Sequence, residues 1–202
     1  MEWIILDDGS DKIEDIIMAH KTKLPTVRYI YESEKQTIGA KRNRLNKEAK
    51  GEIIVAMDDD DFYFPERVYA VVTAFKQKPT LQLAGSSEIY MYYSDNKQIY
   101  KLGPYHANHA TNGTMAWKRS YSESHLYDET VTHAEEKSFL ENYRHPMIQL
   151  QPMKVMLVMS HSENTFDKRK MRDEPNPFVK KTTMKIRDFI KDGELREFFA
   201  NA

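Results

Sequence analysis

Short apolar runs recur along the first half of the chain, and most end in acidic or turn-forming residues. Trp3, Ile4, Ile5 and Leu6 lead directly into Asp7-Asp8-Gly9-Ser10-Asp11, which reads as a buried strand entering a loop. Ile13, Ile16 and Ile17 then share one face of a helix. Residues 27–31 alternate and are rich in β-formers, so a second strand is predicted there. Residues 38–49 carry Ile38, Leu45 and Ala49 among basic and polar neighbours, the pattern of an amphipathic helix ending at Gly51. Residues 53–57 predict a third strand, and 65–76 a helix with Val68, Val71, Val72 and Phe75 inward. Strands alternating with helices predict an α/β domain with a mainly parallel sheet, whose ligands bind beyond the carboxyl ends of the strands. Asp7-Asp8 and the run Asp58-Asp59-Asp60-Asp61 both occupy such ends.

The second half has a different rhythm. Residues 81–84, 88–93 and 98–102 read as strands, the last two joined as a hairpin around Ser94-Asp95-Asn96-Lys97. Residues 108–120 predict a loop feeding another strand, 135–143 a helix with Phe139 and Leu140 inward, and 155–159 an apolar strand running towards His161. Beyond Asn164 the chain becomes charged, breaks at Pro175 and Pro177, and closes on a basic amphipathic helix with Ile186, Phe189, Ile190 and Phe198. The division expected is 1–165 as a catalytic domain and 166–202 as a linker and helix. That tail either packs back on the core or leads towards further domains of a longer polypeptide.

Composition narrows the function. The 202 residues suit one large domain or a domain with a tail. With 30 basic and 31 acidic residues, the net charge of -1 offers no broad attraction for nucleic acid or an anionic membrane surface. The chain has no cysteine, so it has neither disulfides nor thiolate metal sites. No stretch is long and apolar enough to span a membrane and no signal peptide opens the chain, so the expected location is cytoplasmic.

Four adjacent carboxylates repel one another by about 1 kcal/mol per close pair even in water. A hard divalent cation would relieve that repulsion. The alternative is a solvated acidic turn in which one residue caps the helix starting near Pro65. His106, His109 and His125 have no zinc-like spacing with one another or with His133.

Residues 2–11 (EWIILDDGSD), 39–43 (GAKRN) and 51–61 (GEIIVAMDDDD), with Pro65-Glu66-Arg67, together resemble the GT-A glycosyltransferases of the family 2 type, over about residues 2–165. The Tyr- and Met-rich chain also resembles the glycosyltransferase domains that large DNA viruses of algae direct at their capsid glycoprotein, which would place it in a host cytoplasm. The resemblance implies a GT-A fold, a mainly parallel central sheet flanked by helices with a small antiparallel region in the second half. It also implies transfer from a nucleotide-diphosphate sugar, chiefly a UDP-sugar, to a hydroxyl of a glycan or glycoprotein acceptor with Mn²⁺ or Mg²⁺. Family members begin with an earlier strand and helix, so the first βα unit is expected to be missing here.

By the same resemblance, Asp8 matches the acceptor of a hydrogen bond from the nucleotide base, while Asp7 shapes the loop. Asp60 matches the metal ligand, Asp58 the ribose side or the metal's water shell, and Asp61 the helix cap. Asp59 is either solvated or part of the donor site, and Arg42 or Lys41 contacts the donor. Glu136 matches the base of inverting members, with Glu135 as fallback; the commoner pair is Glu-Asp, so the carboxylate here is one methylene longer. His161 matches a position where imidazole meets the metal or diphosphate. Residues 112–115 and Trp117 would floor the sugar pocket, although Trp117 also suits the core. Two rivals remain: a non-catalytic nucleotide-sugar or glycan binding module, and a phosphohydrolase using an aspartate of the Asp7-Asp8 loop as nucleophile.

Overall fold

The computed structural model describes residues 1–20, 26–132, 134–162, 164 and 167–201. In chain order the elements are β1 (Glu2–Asp7), α1 (Glu14–His20), β2 (Thr26–Tyr31), α2 (Ile38–Glu48), β3 (Ile53–Val55), β4 (Phe62–Tyr63), α3 (Arg67–Gln77), β5 (Leu83–Gly85), β6 (Ile89–Tyr93) and β7 (Gln98–Leu102). They continue with β8 (Ala116–Lys118), α4 (Arg119–Ser122), α5 (Glu136–Phe139), β9 (Met147–Gln149), β10 (Met156–Ser160), α6 (Arg169–Asp173), β11 (Val179–Lys181), α7 (Ile186–Phe189) and α8 (Gly193–Ala200). The chain forms two compact units, the first from residues 1–54 and 117–144, the second from 55–116 and 145–202.

In the first unit β1 and β2 pair in parallel from Glu2 opposite Thr26 to Asp7 opposite Tyr31, as the alternation of apolar runs with helices predicts. Glu2 accepts backbone N–H bonds from Lys50 (2.7 Å) and Gly51 (3.0 Å), anchoring the strand to the exit of α2. Thr37 caps that helix by accepting from the Ala40 N–H at 3.3 Å. The inward face of α2 differs from the apolar one expected. Its buried residues are Gly39, Asn43 and Asn46, whereas Ile38, Leu45 and Ala49 are half-buried. Asn46 accepts from the Trp117 indole N–H at 3.2 Å and Asn43 from the Tyr127 N–H at 2.9 Å, so bonds to the two amide oxygens offset part of the cost of burying this polar face. Trp117, Tyr121 and Tyr127 surround Phe139, with the Tyr127 and Phe139 rings stacked at 4.2 Å. Trp117 is therefore a core residue.

Helix α5 is shorter than the 135–143 predicted. Glu141, Asn142 and Tyr143 adopt φ of 46°, 58° and 61°, a left-handed run in which an α-helix cannot continue.

The second unit is built on the sheet order β11-β7-β6-β10-β4. β10 runs parallel to β6 and antiparallel to β4, and β6 and β7 form the expected hairpin, closing at Tyr93 opposite Gln98. β11 extends the antiparallel side through β7, and β5 pairs in parallel with β9. Every residue of β10 is buried. Phe62, Tyr92, Ile99, Leu157, Met159, Phe189 and Ile190 form one core cluster, so the C-terminal segment packs onto this sheet. The single terminal helix predicted is two, because Asp192 restarts the chain by capping α8 through the Leu195 N–H at 2.8 Å. Helix α3 begins at Arg67, after Pro65, and buries Arg67, Val71 and Phe75 on one stripe.

Candidate functional site

The first unit places Asp8 just beyond the carboxyl end of β1. Its side chain is 5% exposed. Asp8 Oδ2 accepts from the Gln36 N–H at 2.9 Å, while Oδ1 receives Lys41 Nζ at 3.0 Å and Lys35 Nζ at 3.2 Å. Burial alone would push this carboxyl up. The Gln36 N–H and the two ammonium groups outweigh it and hold the group at about 2, against an ordinary 3.8. A carboxyl lowered on folding stabilises the fold above its unfolded value and loses that contribution as pH falls through the folded one. Wild type is thus expected to lose up to about 2 kcal/mol more stability than Asp8→Asn between pH 4 and pH 2, less whatever screening at exposed Lys35 removes. Urea denaturation of both proteins across that range measures the difference. A cleft of about 260 Å³ opens beside this cluster, lined by Leu6, Glu32, Gln36, Ala40, Lys41 and Arg44.

Asp7 has a different task. Its Oδ1 accepts from the Gly9 N–H at 2.8 Å, and its Oδ2 from the Ile13 N–H at 3.2 Å and from the Tyr29 hydroxyl. It shapes the loop, as the sequence implies. A carboxylate so occupied is a poor nucleophile, which weighs against the phosphohydrolase alternative.

Also in this unit, Arg42 Nε donates to Glu135 Oε1 at 2.8 Å, with side chains 13% and 7% exposed. Glu136 opens α5 and is half-buried. His133 lies outside the described residues.

The second unit carries the acidic run between β3 and β4. Asp60 Oδ2 lies 3.7 Å from His161 Nε2 and 4.0 Å from Lys168 Nζ. The Asn164 side-chain amide Nδ2 stands 2.9 Å from both Asp60 Oδ2 and His161 Nε2, and its Oδ1 accepts from the His161 N–H at 2.9 Å. Lys168 in turn donates to the Met159 carbonyl at 2.8 Å. A carboxylate oxygen and an imidazole nitrogen, both atoms of the kind that ligate divalent cations, thus converge on one amide nitrogen. Asp58 is half-buried, and the Tyr63 hydroxyl accepts from its backbone N–H at 2.8 Å. A Cβ on Gly113 would come within 2.9 Å of Asp58 Oδ2 and 3.0 Å of the Tyr63 hydroxyl, so a larger residue there would have to displace these side chains. Asp59 is exposed.

Asp61 does not cap α3, as the sequence reading had it. Its Oδ1 accepts from the Met159 N–H at 2.7 Å, and α3 is preceded by Glu66 with no side-chain cap. Burial pushes the Asp61 carboxyl up to about 7, against the pull of the Lys168 ammonium. Arg67 is 1% exposed and donates to the Met115 carbonyl at 2.8 Å. Burial also lowers its guanidinium to about 10. Residues 112–114 form a buried 3₁₀ turn in which the Thr114 hydroxyl donates to the Thr111 carbonyl.

Sequence reasoning missed Asn164, Lys168 and Asn43. The first two follow His161 by three and seven residues, Asn164 at the end of the expected catalytic domain and Lys168 in a segment read only as charged tail.

Comparison with known proteins identifies the class. The sequence profile of Glycosyl transferase family 2 matches residues 1–141. The chain belongs to this family. No curated protein matches it significantly in sequence. Among solved structures it resembles S. aureus TarS 1-349 in complex with UDP-GlcNAc, with TM-score 0.61 and 14% identity, over 86% of this chain and 52% of that one. It also resembles the mannosyltransferase PcManGT from Pyrobaculum calidifontis, in complex with GDP-Man and Mn²⁺, with TM-score 0.58 and 12% identity, over 86% of this chain and 56% of that one. These likenesses establish the GT-A fold, and the chain spans about half the length of the structures it matches. Among the described residues, no helix is long and apolar enough to cross a membrane.

Proposed function

We propose that this chain transfers a sugar from a nucleotide-diphosphate sugar, preferentially a UDP-sugar, to a hydroxyl of a glycan or glycoprotein acceptor, with inversion at the anomeric carbon. The observation that carries the reading is the convergence of Asp60 Oδ2 and His161 Nε2, 3.7 Å apart although they lie 101 positions apart in sequence. Asp60 and His161 would hold Mn²⁺ or Mg²⁺, with Asp58 towards the ribose or the ion's water shell. A divalent ion so bound neutralises charge on a departing diphosphate.

Asp8 and the adjoining cleft receive the base, Asp8 offering an acceptor held ionised across the physiological range. The acceptor hydroxyl oxygen attacks the anomeric carbon and passes its proton to the Glu136 carboxylate, as the bond from that carbon to the diphosphate oxygen breaks. Capsid glycans of a large algal virus are the acceptor class to which the narrower sequence resemblance points. Calorimetry with UDP is expected to show binding that tightens with Mn²⁺, and a panel of nucleotide sugars should reveal Mn²⁺-dependent release of UDP or GDP from one of them. Binding without release would favour the non-catalytic module; neither binding nor release would sink the reading.

A further inference from the structure

We infer that the face of α2 carrying Gly39, Arg42 and Asn43 is the positioning element of the acidic pair, with Glu135 serving as its anchor and Glu136 as the carboxylate it presents. The inference rests on the proposed base role of Glu136 and assigns Arg42 to holding that base in place. Three contacts of different kinds carry it. Asn43 reads the segment ahead of the pair as a neighbouring strand would: its Oδ1 accepts from the Tyr127 N–H, and its Nδ2 donates to the Tyr127 carbonyl and to Glu129 Oε1, each at 2.9 Å. Gly39 lets that segment lie against the helix, because a Cβ there would stand 2.2 Å from the Asp128 carbonyl oxygen. Arg42, one residue before Asn43, ties down Glu135 itself, and both side chains are largely withdrawn from solvent.

The tether continues into α5. The Ser138 hydroxyl donates to the Glu135 carbonyl and accepts from the Asp128 N–H, both at 2.8 Å, so the start and end of this loop are locked together. With Glu135 fixed on one side and Ser138 on the other, the backbone at Glu136 has little freedom. A carboxylate that must remove a proton in flight needs that constraint, since a displacement near 1 Å costs about a hundredfold in rate.

The test compares Arg42→Ala, Arg42→Lys, Glu135→Gln and the double variant Arg42→Ala/Glu135→Gln. Arg42→Ala and Glu135→Gln are each expected to lower kcat by about ten- to a hundredfold with donor KM within about twofold. The double variant should be no worse than the poorer single one, and Arg42→Lys should recover part of the loss. Amide hydrogen exchange in residues 127–138 should quicken in Arg42→Ala while β1 and β2 keep wild-type protection. A tenfold rise in donor KM at unchanged kcat would overturn the inference and make Arg42 a donor contact, as would multiplicative losses in the double variant. Exchange is read independently of turnover: were the wild type inert towards every nucleotide sugar, the transferase reading would fail, and unchanged protection of 127–138 would overturn the tether while faster exchange would uphold it.

Discussion

Asp60→Asn is expected to lower Mn²⁺-dependent sugar transfer by about a hundredfold or more, close to 2.7 kcal/mol of barrier. The substitution keeps the shape of the side chain and removes its charge. Asp60 Oδ2 already meets the Asn164 amide at 2.9 Å and faces the His161 imidazole and the Lys168 ammonium. A neutral amide there can still accept from Asn164 through its one oxygen, but it offers no negative charge to a cation. Rates measured across a Mn²⁺ titration separate lost ion affinity, which excess metal restores, from lost transition-state stabilisation, which it does not. Wild-type rates in this variant would remove Asp60 from the metal assignment.

The second large effect concerns Glu136. Glu136→Gln is expected to bind UDP within about twofold of wild type and to lose transfer by about 10²–10⁴-fold, the usual share of a positioned general base. Glutamine preserves size and hydrogen-bonding reach at the start of α5 but cannot accept the proton. Retained UDP affinity excludes gross misfolding as the cause. Undiminished transfer would move the base to Glu135 or elsewhere. Glu135 is the weaker candidate, because its carboxylate is already engaged by Arg42.

The parts of the fold legible from sequence are those written in apolar periodicity. β1 and β2, the hairpin of β6 and β7, and buried β10 running to His161 all follow from local runs bounded by turn residues. The acidic loops at Asp8 and Asp60 were visible as carboxylates after strands. What escaped was buried polarity. Asn43 and Asn46 look like solvent residues until their partners are known, and Tyr127 lies 84 positions from Asn43. Arg67 hides on the same stripe as Val71 and Phe75, where a charged residue is read as exposed. The end of α5 was equally opaque, because Glu141, Asn142 and Tyr143 carry no glycine to mark their left-handed backbone.

An apolar stripe can slide or roll against its neighbour and still bury similar area, but the seat of α2 has no such latitude. Turning this helix by one residue, about 100° about its axis, would aim Arg42 or Arg44 at the Tyr127 backbone and withdraw Asn46 from the Trp117 indole. Each stranded donor or acceptor would then cost about 1–3 kcal/mol. The helix therefore has a single azimuth, set by the direction of its amides, and exchanging those asparagines for leucines would add greasy surface while erasing the mark that tells α2 which way to face.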